Sequence, residues 1–224
     1  MSNPFLVSHY LFDFDGTLVD SMPYWARTML SVLERRGIPY GEDFISIITP
    51  LGLNATVDYF INYGVKSTPE ALKAEIRGML GPLYEKEIPL KEGVEDCLLA
   101  MKNQGCRLNV LTASPHSWLD PCLKRCGVWD LFDHVWSCED FPTVKTDPAI
   151  YVLAAERLGL GVNEISFLDD NINADQAAMK AGMQVIGVYD DSSRQDQPAL
   201  QALADGYIRN FGELKAQVVP ERKA

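Results

Sequence analysis

Apolar and polar positions follow two patterns in succession along this chain. A short apolar and aromatic run from Ser8 to Asp13 ends abruptly in the polar turn Asp-Phe-Asp-Gly-Thr, as a buried strand does. Residues 22 to 88 then show helical patterns. One helix is predicted over Tyr24 to Arg36, before Gly37, and another opens at Thr68-Pro69. No strand pattern interrupts this block.

Beyond Gly93 the pattern alternates between strands and helices. Strands are predicted at Arg107 to Thr112, His134 to Ser137, Ile165 to Asp169 and Gln184 to Tyr189. Helices are predicted to follow from Pro115, Pro148, Asn173 and about Pro198. Strands separated by helices form a parallel sheet that is covered on both faces. The sequence therefore predicts an α/β fold with a doubly wound, Rossmann-like parallel sheet.

The helical block is predicted to be an insertion into the sheet domain. We expect residues 1–19 and 90–224 to form an α/β core and residues 20–89 to form a helical cap. Ligands of open α/β sheets bind at the carboxyl ends of the strands, so the cap is expected over that edge. Hinges are expected near residues 18–21 and 86–91, where the cap would open to admit a ligand.

Composition narrows the classes of partner. The 224 residues carry 31 acidic and 20 basic side chains, a formal net charge of −11. Nucleic acids and anionic membranes bind through clustered Lys and Arg, so neither is expected as a partner. The longest stretch without a charged residue, Phe44 to Val57, has 14 residues and contains Pro50. A spanning helix needs about 20 apolar residues, so no membrane span is predicted.

The cysteines and the first residues indicate the compartment. The five cysteines are odd in number and lack the paired spacing of a disulfide framework or a zinc site. Met1 to Val7 has no basic residue before its apolar run and no cleavage pattern, unlike a signal peptide. We therefore expect a protein of the reducing cytoplasm, and a monomer or a weak homodimer.

Two carboxylates follow the first predicted strand. An ordinary polar turn would account for Asp-Gly, which is a common turn pair, but not for an acid at the last strand position. Strand alternation places Asp13 and Asp15 on the same side, and Gly16 permits the sharp reversal that lets both face one cavity. We interpret the two acids as a functional pair.

Hydroxyl and basic residues follow the later strands. Thr112 stands at a strand tip, where its hydroxyl and the following backbone N–H, that of Ala113, can hold a phosphate. The same segment also fits an ordinary helix start, with Ser114 as the N-cap and Pro115 in the first turn. Both interpretations stay open. Lys145 precedes another predicted helix, and a lone lysine in a loop is usually solvated.

Adjacent carboxylates, Asp169 and Asp170, end another strand, and helix capping explains one of them but not both. If Asp170 converges with Asp13 and Asp15, two unit charges 4 Å apart repel by about 4 kcal/mol at an effective dielectric of about 20. Such a cluster needs a cation or a proton, and oxygen ligands suit Mg²⁺. The three histidines fall outside these motifs, so a transition metal is not indicated.

Together and in this order, the motifs resemble those of the haloacid dehalogenase superfamily, over residues 8 to about 211. They are Asp-Phe-Asp-Gly-Thr at 13–17, Thr112, Lys145 before Asp147-Pro148, and Asp169-Asp170. The chain looks most like the phosphatase branch with a helical cap, which includes phosphoglycolate phosphatases and β-phosphoglucomutases. The resemblance implies a hydrolase of phosphoric monoesters.

By this resemblance, Asp13 would be the nucleophile that forms an aspartyl-phosphate, and Asp15 would be the general acid and base. Mg²⁺ would be held by the Asp13 side chain, the Asp15 backbone carbonyl and Asp170, with Asp169 in support. In the family either acid of such a pair can be the closer one to the metal. The residues implied to bind the transferring phosphoryl oxygens are Thr112, Ala113 and Lys145.

Other branches of the superfamily fit less well. The dehalogenases lack the second aspartate, so Asp15 argues against that chemistry. Phosphonate-cleaving relatives use a lysine soon after the first motif, whereas the first lysine here is Lys66. Phosphomutases usually carry a histidine there, and this chain has none between His9 and His116.

The leading hypothesis is therefore a Mg²⁺-dependent phosphatase of a small phosphorylated metabolite, such as a sugar phosphate, phosphoglycolate or a nucleoside monophosphate. A sugar phosphomutase and a non-catalytic binding protein on this fold are the alternatives. Substrate choice is expected to lie in the cap. Its aromatic residues are typical of helix packing, and the candidates to face the site are Trp25 and the loop Thr49 to Asn54.

Overall fold

A six-stranded parallel sheet forms the centre of the fold. The computed structural model describes residues 3–219. The strands are β1 His9–Phe12, β2 Arg107–Thr112, β3 His134–Ser137, β4 Ile165–Asp169, β5 Gln184–Val188 and β6 Gly206–Ile208. They lie in the order β3-β2-β1-β4-β5-β6, and each neighbouring pair is parallel. The predicted α/β class with a doubly wound sheet is confirmed.

Ten α-helices lie within residues 3–219. They are α1 Met22–Glu34, α2 Phe44–Ile48, α3 Gly52–Tyr63, α4 Pro69–Lys86, α5 Val94–Asn103, α6 His116–Arg125, α7 Ala149–Leu158, α8 Ile172–Ala181, α9 Gln197–Leu203 and α10 Phe211–Val218. Helix α4 begins as its sequence predicts, because the Thr68 hydroxyl accepts a hydrogen bond from the Ala71 N–H at 3.2 Å.

Strand β1 is enclosed on both faces. Tyr10, Leu11 and Phe12 have no exposed surface. Because successive side chains of a strand point to opposite faces, Tyr10 and Phe12 join one apolar cluster and Leu11 joins the other. Strands buried in this way have continuous apolar sequences, which explains the run that opens the chain.

The direction of the chain across the sheet changes at β1. This strand pairs with β2 on one side and with β4 on the other. In such sheets the crevice outside the carboxyl ends of the strands, at the point where the order reverses, is the usual ligand site. The residues that follow β1, β2 and β4 therefore meet at one edge.

Helices α1 to α4 follow β1 and pack on one another. The Phe44 ring lies at their centre, 5.4 Å from the ring of Phe60 and 5.0 Å from that of Tyr63. This confirms the packing role predicted for these aromatic residues. Helix α4 also packs against α6, which belongs to the sheet part of the chain. The division into a core of residues 1–19 and 90–224 and a cap of residues 20–89 stays a prediction.

The chain enters and leaves the helical block at adjacent positions. The Asp20 N–H donates to the Pro89 carbonyl at 2.9 Å, and the Lys91 N–H donates to the Leu18 carbonyl at 2.9 Å. Both segments lie where the sequence predicts hinges. Because their backbones are hydrogen-bonded to each other, the two predicted hinge segments lie side by side.

One edge strand and two helices are not predicted from the sequence pattern. Strand β6 has three residues, too few to show alternation, and α5 and α10 were not among the predicted helices. Strand β5 ends at Val188, one residue before the predicted end. Every helix within residues 3–219 falls short of the length and apolar character that a membrane crossing requires.

Candidate active site

A cavity of about 1030 Å³ lies where the carboxyl ends of the strands face helices α1 to α4. It is lined from both sides, and the sheet side carries the acids and hydroxyls singled out by the sequence. The structure brings together all the predicted site residues along this cavity: Asp13, Asp15, Thr112, Ala113, Lys145, Asp169 and Asp170.

Three of the carboxylates form one cluster. Asp13 directly follows β1, Asp169 is the last residue of β4, and Asp170 comes next. One oxygen from each lies within 4.8 Å of the others, and all three side chains are buried. Adjacent parallel strands end at the same level, which is why residues so far apart in sequence meet here. Their mutual repulsion must be offset locally.

Lys145 supplies the positive charge within this cluster. Its Nζ lies 2.6 Å from Oδ1 of Asp13 and also contacts Oδ2 of Asp169. Burial lowers the pKa of Lys145, but the two carboxylates outweigh burial and hold that pKa well above its usual value. The Tyr151 hydroxyl donates to the Lys145 carbonyl at 2.9 Å and fixes the loop. A lone lysine in a loop is usually solvated, but Lys145 is only 9% exposed.

One lysine does not neutralise three acids. Burial raises the pKa of Asp170 well above its usual value, and the charges of Asp169 and Asp13 raise it further. The Thr17 hydroxyl donates to Oδ1 of Asp170 at 3.0 Å. Asp169 is already engaged by Lys145 and by the Asn171 N–H, which donates to Oδ1 at 2.7 Å. Asp13 and Asp169 thus share Lys145, whereas Asp170 has no ion pair within residues 3–219.

The donor set fits a divalent cation. Every ligand atom is a carboxylate oxygen, the choice of hard cations such as Mg²⁺. The cluster is buried and carries more negative than positive charge, so a bound cation would relieve the repulsion between its members.

Gly16 makes this close approach possible. Its φ is +75°, a conformation that L side chains rarely adopt. A Cβ added at this position would lie 2.6 Å from Oδ2 of Asp170. The turn after β1 therefore needs glycine twice, once for its backbone angle and once for the space that the carboxylate occupies.

Asp15 lies in a different environment from the other acids. It is half-buried, and each of its oxygens accepts a hydrogen bond from a hydroxyl: Oδ1 from Tyr84 and Oδ2 from Ser114. Burial raises the pKa of Asp15; these two hydrogen bonds oppose the rise, and the charge of Asp13 adds to it. The net direction is upward, which favours the protonated form that a general acid requires.

The segment after β2 corrects one local prediction. Of the two interpretations open for this segment, Ser114 as the N-cap of α6 is wrong, because the N-cap is Pro115 and no side chain caps it. The Ser114 hydroxyl is directed to Asp15 instead, because the Thr112 Oγ1 accepts the Ser114 N–H at 3.0 Å and turns the loop inward. Ala113, between them, is exposed to the cavity.

Sequence patterns gave no signal for two residues that shape the site. Lys91 donates to the Gly16 carbonyl at 2.6 Å, to the Tyr189 carbonyl at 2.7 Å and to Oδ2 of Asp190 at 2.9 Å. The hydrogen bond from Lys91 to Gly16 fixes the turn that carries Asp15. Tyr84 comes from α4 and reaches Asp15 across the cavity wall. Neither belongs to a short motif, and their contacts arise only on folding.

Asp175, on the first turn of α8, is a further buried acid. It has no exposed surface, and neither of its side-chain oxygens has a hydrogen-bond partner within residues 3–219. Burial raises its pKa well above the usual value, and the charge of Asp169 adds to this. The raised pKa favours the neutral form of this carboxyl.

The helical side of the cavity is largely apolar. Trp25, Met29, Ile45 and Ile48 line it, as do Thr49 and residues 51–54. Trp25 and the loop proposed from the sequence therefore do face the cavity. This surface can contact a leaving group, whereas the sheet side carries the charged groups.

Comparison with known proteins adds an independent finding. A family model described as haloacid dehalogenase-like hydrolase matches residues 10–188. Hexitol phosphatase B of Escherichia coli K12 is 28% identical over 221 residues, which cover 97% of this chain and 98% of that protein. A phosphoglycolate phosphatase of Yersinia pseudotuberculosis is 30% identical over 182 residues, covering 79% and 78%. Among solved structures, a predicted phosphoglycolate phosphatase of Haemophilus somnus has a TM-score of 0.76 at 25% identity, covering 93% and 96%.

Replacement of Gly16 by alanine is expected to disable the carboxylate cluster. The new Cβ must displace Asp170, so Gly16→Ala should weaken binding of MgCl₂ in calorimetric titration by about tenfold or more. Gly127→Ala is the matched control, because Gly127 has the same φ of +75° and nothing within 4 Å of an added Cβ. Both variants should lose roughly 1–2 kcal/mol of stability to backbone strain. Equal Mg²⁺ affinities in the two variants would contradict this explanation.

Asp175→Asn is expected to stabilise the protein increasingly as pH rises. The folded-state pKa lies above the ordinary value of 3.8, so the folded state binds this proton more tightly than the unfolded state. The contribution of Asp175 to the unfolding free energy of the wild type is fully present below about pH 4. It is lost as pH rises toward the folded-state pKa.

Thermal unfolding in EDTA at pH 5 and pH 8 measures this effect. The gain in Tm of Asp175→Asn over wild type should be larger at pH 8 than at pH 5. Each kcal/mol of additional unfolding free energy corresponds to about 2–4 °C in Tm. The same exchange at the exposed Asp58 is the control for the loss of one carboxyl group at the surface. A gain at Asp175 that is independent of pH speaks against a buried neutral carboxyl.

Proposed function

The chain belongs to the haloacid dehalogenase-like hydrolases, and on that basis we propose that it is a Mg²⁺-dependent phosphatase of a small phosphorylated metabolite. The observation that carries this proposal is the carboxylate cluster of Asp13, Asp169 and Asp170 around Lys145, with the half-buried Asp15 beside it in the same cavity. Named phosphatases among the relatives support it.

Asp13 is the proposed nucleophile. One carboxylate oxygen attacks phosphorus, a bond forms between Asp13 and the phosphoryl group, and the bond to the leaving oxygen breaks. Water then attacks the same phosphorus, releasing inorganic phosphate and restoring the Asp13 carboxylate. Lys145, 2.6 Å from Oδ1 of Asp13, orients that carboxylate before the attack.

Asp15 is the proposed general acid and base. It gives its proton to the leaving oxygen in the first displacement and takes a proton from the attacking water in the second. The protonated form needed at the start agrees with the upward direction of its pKa. Asp13 and Asp15 therefore begin the reaction in opposite protonation states, set by different surroundings.

The transferring phosphoryl oxygens are proposed to be bound by Lys145, by the Thr112 hydroxyl and by the Ala113 N–H. All three groups line the cavity on the sheet side. Lys145 contributes a full positive charge where negative charge increases in the transition state.

Mg²⁺ would be held by the side chains of Asp13 and Asp170 and by the Asp15 backbone carbonyl, with Asp169 in support. Asp170 is the better candidate of the adjacent pair, because Asp169 is already engaged by Lys145. When bound, the ion would neutralise the carboxylates and polarise the phosphoryl oxygens.

The cavity is large enough for a metabolite with a sizeable leaving group. Its apolar helical side fits the carbon skeleton of a sugar or polyol phosphate, and Arg77 on α4 adds a basic group. Arg77 lines the cavity and makes no ion pair within residues 3–219. The proposed setting is the cytoplasm, as a monomer or weak homodimer; the five free cysteines support a reducing compartment.

Phosphate release tests the proposal directly. Purified protein should hydrolyse 4-nitrophenyl phosphate with Mg²⁺ and lose this activity in EDTA. Asp13→Asn should abolish turnover, because an amide cannot form the aspartyl-phosphate, whereas Asp130→Asn, at an exposed position outside the cavity, should keep it. Retained turnover in Asp13→Asn rules out the mechanism. A panel of sugar phosphates, phosphoglycolate and nucleoside monophosphates then identifies the substrate.

Arg77→Gln should discriminate between classes of leaving group. A substrate with a second anionic group, such as phosphoglycolate, should lose about tenfold in kcat/KM, because an ionic hydrogen bond is lost. A hexitol phosphate, which has no second anionic group, should lose less than about threefold. Arg27→Gln is the matched control, since Arg27 is exposed and stacks on Tyr24 outside the cavity. Equal losses on both substrates would exclude Arg77 from substrate recognition.

A further inference from the structure

The hydroxyl of Tyr84 lies in a chain of hydrogen bonds that ends at Asp15. It accepts from Nε1 of Trp25 at 2.7 Å and donates to Oδ1 of Asp15. The second oxygen of Asp15 accepts from the Ser114 hydroxyl. The carboxyl group is therefore held at both oxygens, from two different parts of the chain.

The Tyr84 ring has little freedom to move. It stacks on Trp118 at 5.2 Å with an interplanar angle of 8°, and on Phe14 at 5.8 Å and 27°. Aromatic pairs at such distances are attractive, and here they fix the ring on two sides. Tyr84 has no exposed surface, so it does not contact a substrate in the cavity.

The choice of hydrogen-bond partner distinguishes Tyr84 from the other buried tyrosines. Tyr10 donates to the Phe5 carbonyl and Tyr151 donates to backbone carbonyls as well. A backbone carbonyl is sufficient to satisfy a buried hydroxyl. Tyr84 instead engages the side chain of the proposed general acid, which points to a role beyond its own packing.

This arrangement joins the helical block to the sheet part of the chain. Tyr84 and Trp25 lie on α4 and α1, whereas Asp15, Ser114 and Trp118 follow β1 and β2. A movement that separates α4 from α6 would remove one of the two hydrogen bonds that hold Asp15. The orientation of this carboxyl group thus depends on where the helical block sits.

We propose that Tyr84 is a positioning residue for Asp15: from the helical block it holds the carboxyl group in the orientation from which its proton passes to the leaving oxygen. This inference rests on the phosphatase function proposed above. As the bond from phosphorus to the leaving oxygen breaks, the proton moves from Asp15 to that oxygen, and Asp15 is left as a carboxylate. This hydrogen bond is available only while α4 stays packed against α6.

Phosphate esters whose leaving groups differ in their need for a proton provide the test. A 4-nitrophenolate departs without a proton, whereas the alkoxide of benzyl phosphate needs one, and phenyl phosphate lies between them. Tyr84→Phe keeps the stacked ring and removes only the hydroxyl. We expect kcat/KM, which covers the first displacement, to fall about tenfold on benzyl phosphate and less than about twofold on 4-nitrophenyl phosphate.

The ratio of two kcat/KM values from one preparation cancels any difference in the folded fraction. Tyr63→Phe is the control, because it removes a hydroxyl from α3 that donates to the Pro39 carbonyl, away from the cavity. Its ratio should match wild type. An unchanged or uniformly reduced activity in Tyr84→Phe overturns the positioning role. A wild-type protein inactive on all three esters overturns the phosphatase proposal itself.

Discussion

The repulsion among carboxylates at one edge of the sheet is the constraint on which this structure depends. Asp13 and Asp170 follow neighbouring strands, and Asp169 ends one of them, so the parallel pairing of β1 with β4 forces their charges together. Lys145 is buried between Asp13 and Asp169 and offsets part of this charge. Gly16 leaves room for Asp170, and Thr17 hydrogen-bonds it. The carboxylate oxygens at this edge fit a divalent cation, the cofactor proposed above.

The same edge gives two acids different properties. Asp13 lies against Lys145 and next to the other carboxylates, whereas Asp15 is held by hydroxyls at the boundary with the helical block. The roles proposed for them, nucleophile for Asp13 and general acid for Asp15, require opposite protonation states, which a single uniform environment cannot supply. The turn through Gly16, pinned by Lys91, separates the two side chains while keeping them in one cavity.

Helix α4 of the helical block packs against α6 of the sheet part, and the hydroxyl of Tyr84 extends this contact to Asp15. Tyr84 and Trp25 approach from α4 and α1, and Trp118 packs against both rings from α6. The backbone segments that connect the two parts are paired near Leu18 and Pro89. A displacement of the helical block would therefore act through these aromatic residues on Asp15, the proposed general acid, rather than on the buried cluster around Lys145.

The sequence by itself determined five strands of the sheet and the residues that meet at its edge. Strands such as Arg107–Thr112 and Ile165–Asp169 have the bounds that their apolar runs predict, because buried parallel strands leave a continuous pattern. The motifs also predicted that Asp13, Lys145 and Asp170 converge, since the carboxyl ends of parallel strands share an edge. Only the tertiary structure decided the partners of Asp15, because Tyr84 lies 69 positions away and Ser114 lies 99 positions away. A local sequence pattern reflects only interactions between residues close in sequence. Ser114 therefore has the pattern of a helix cap, although in the folded chain its hydroxyl donates to Asp15.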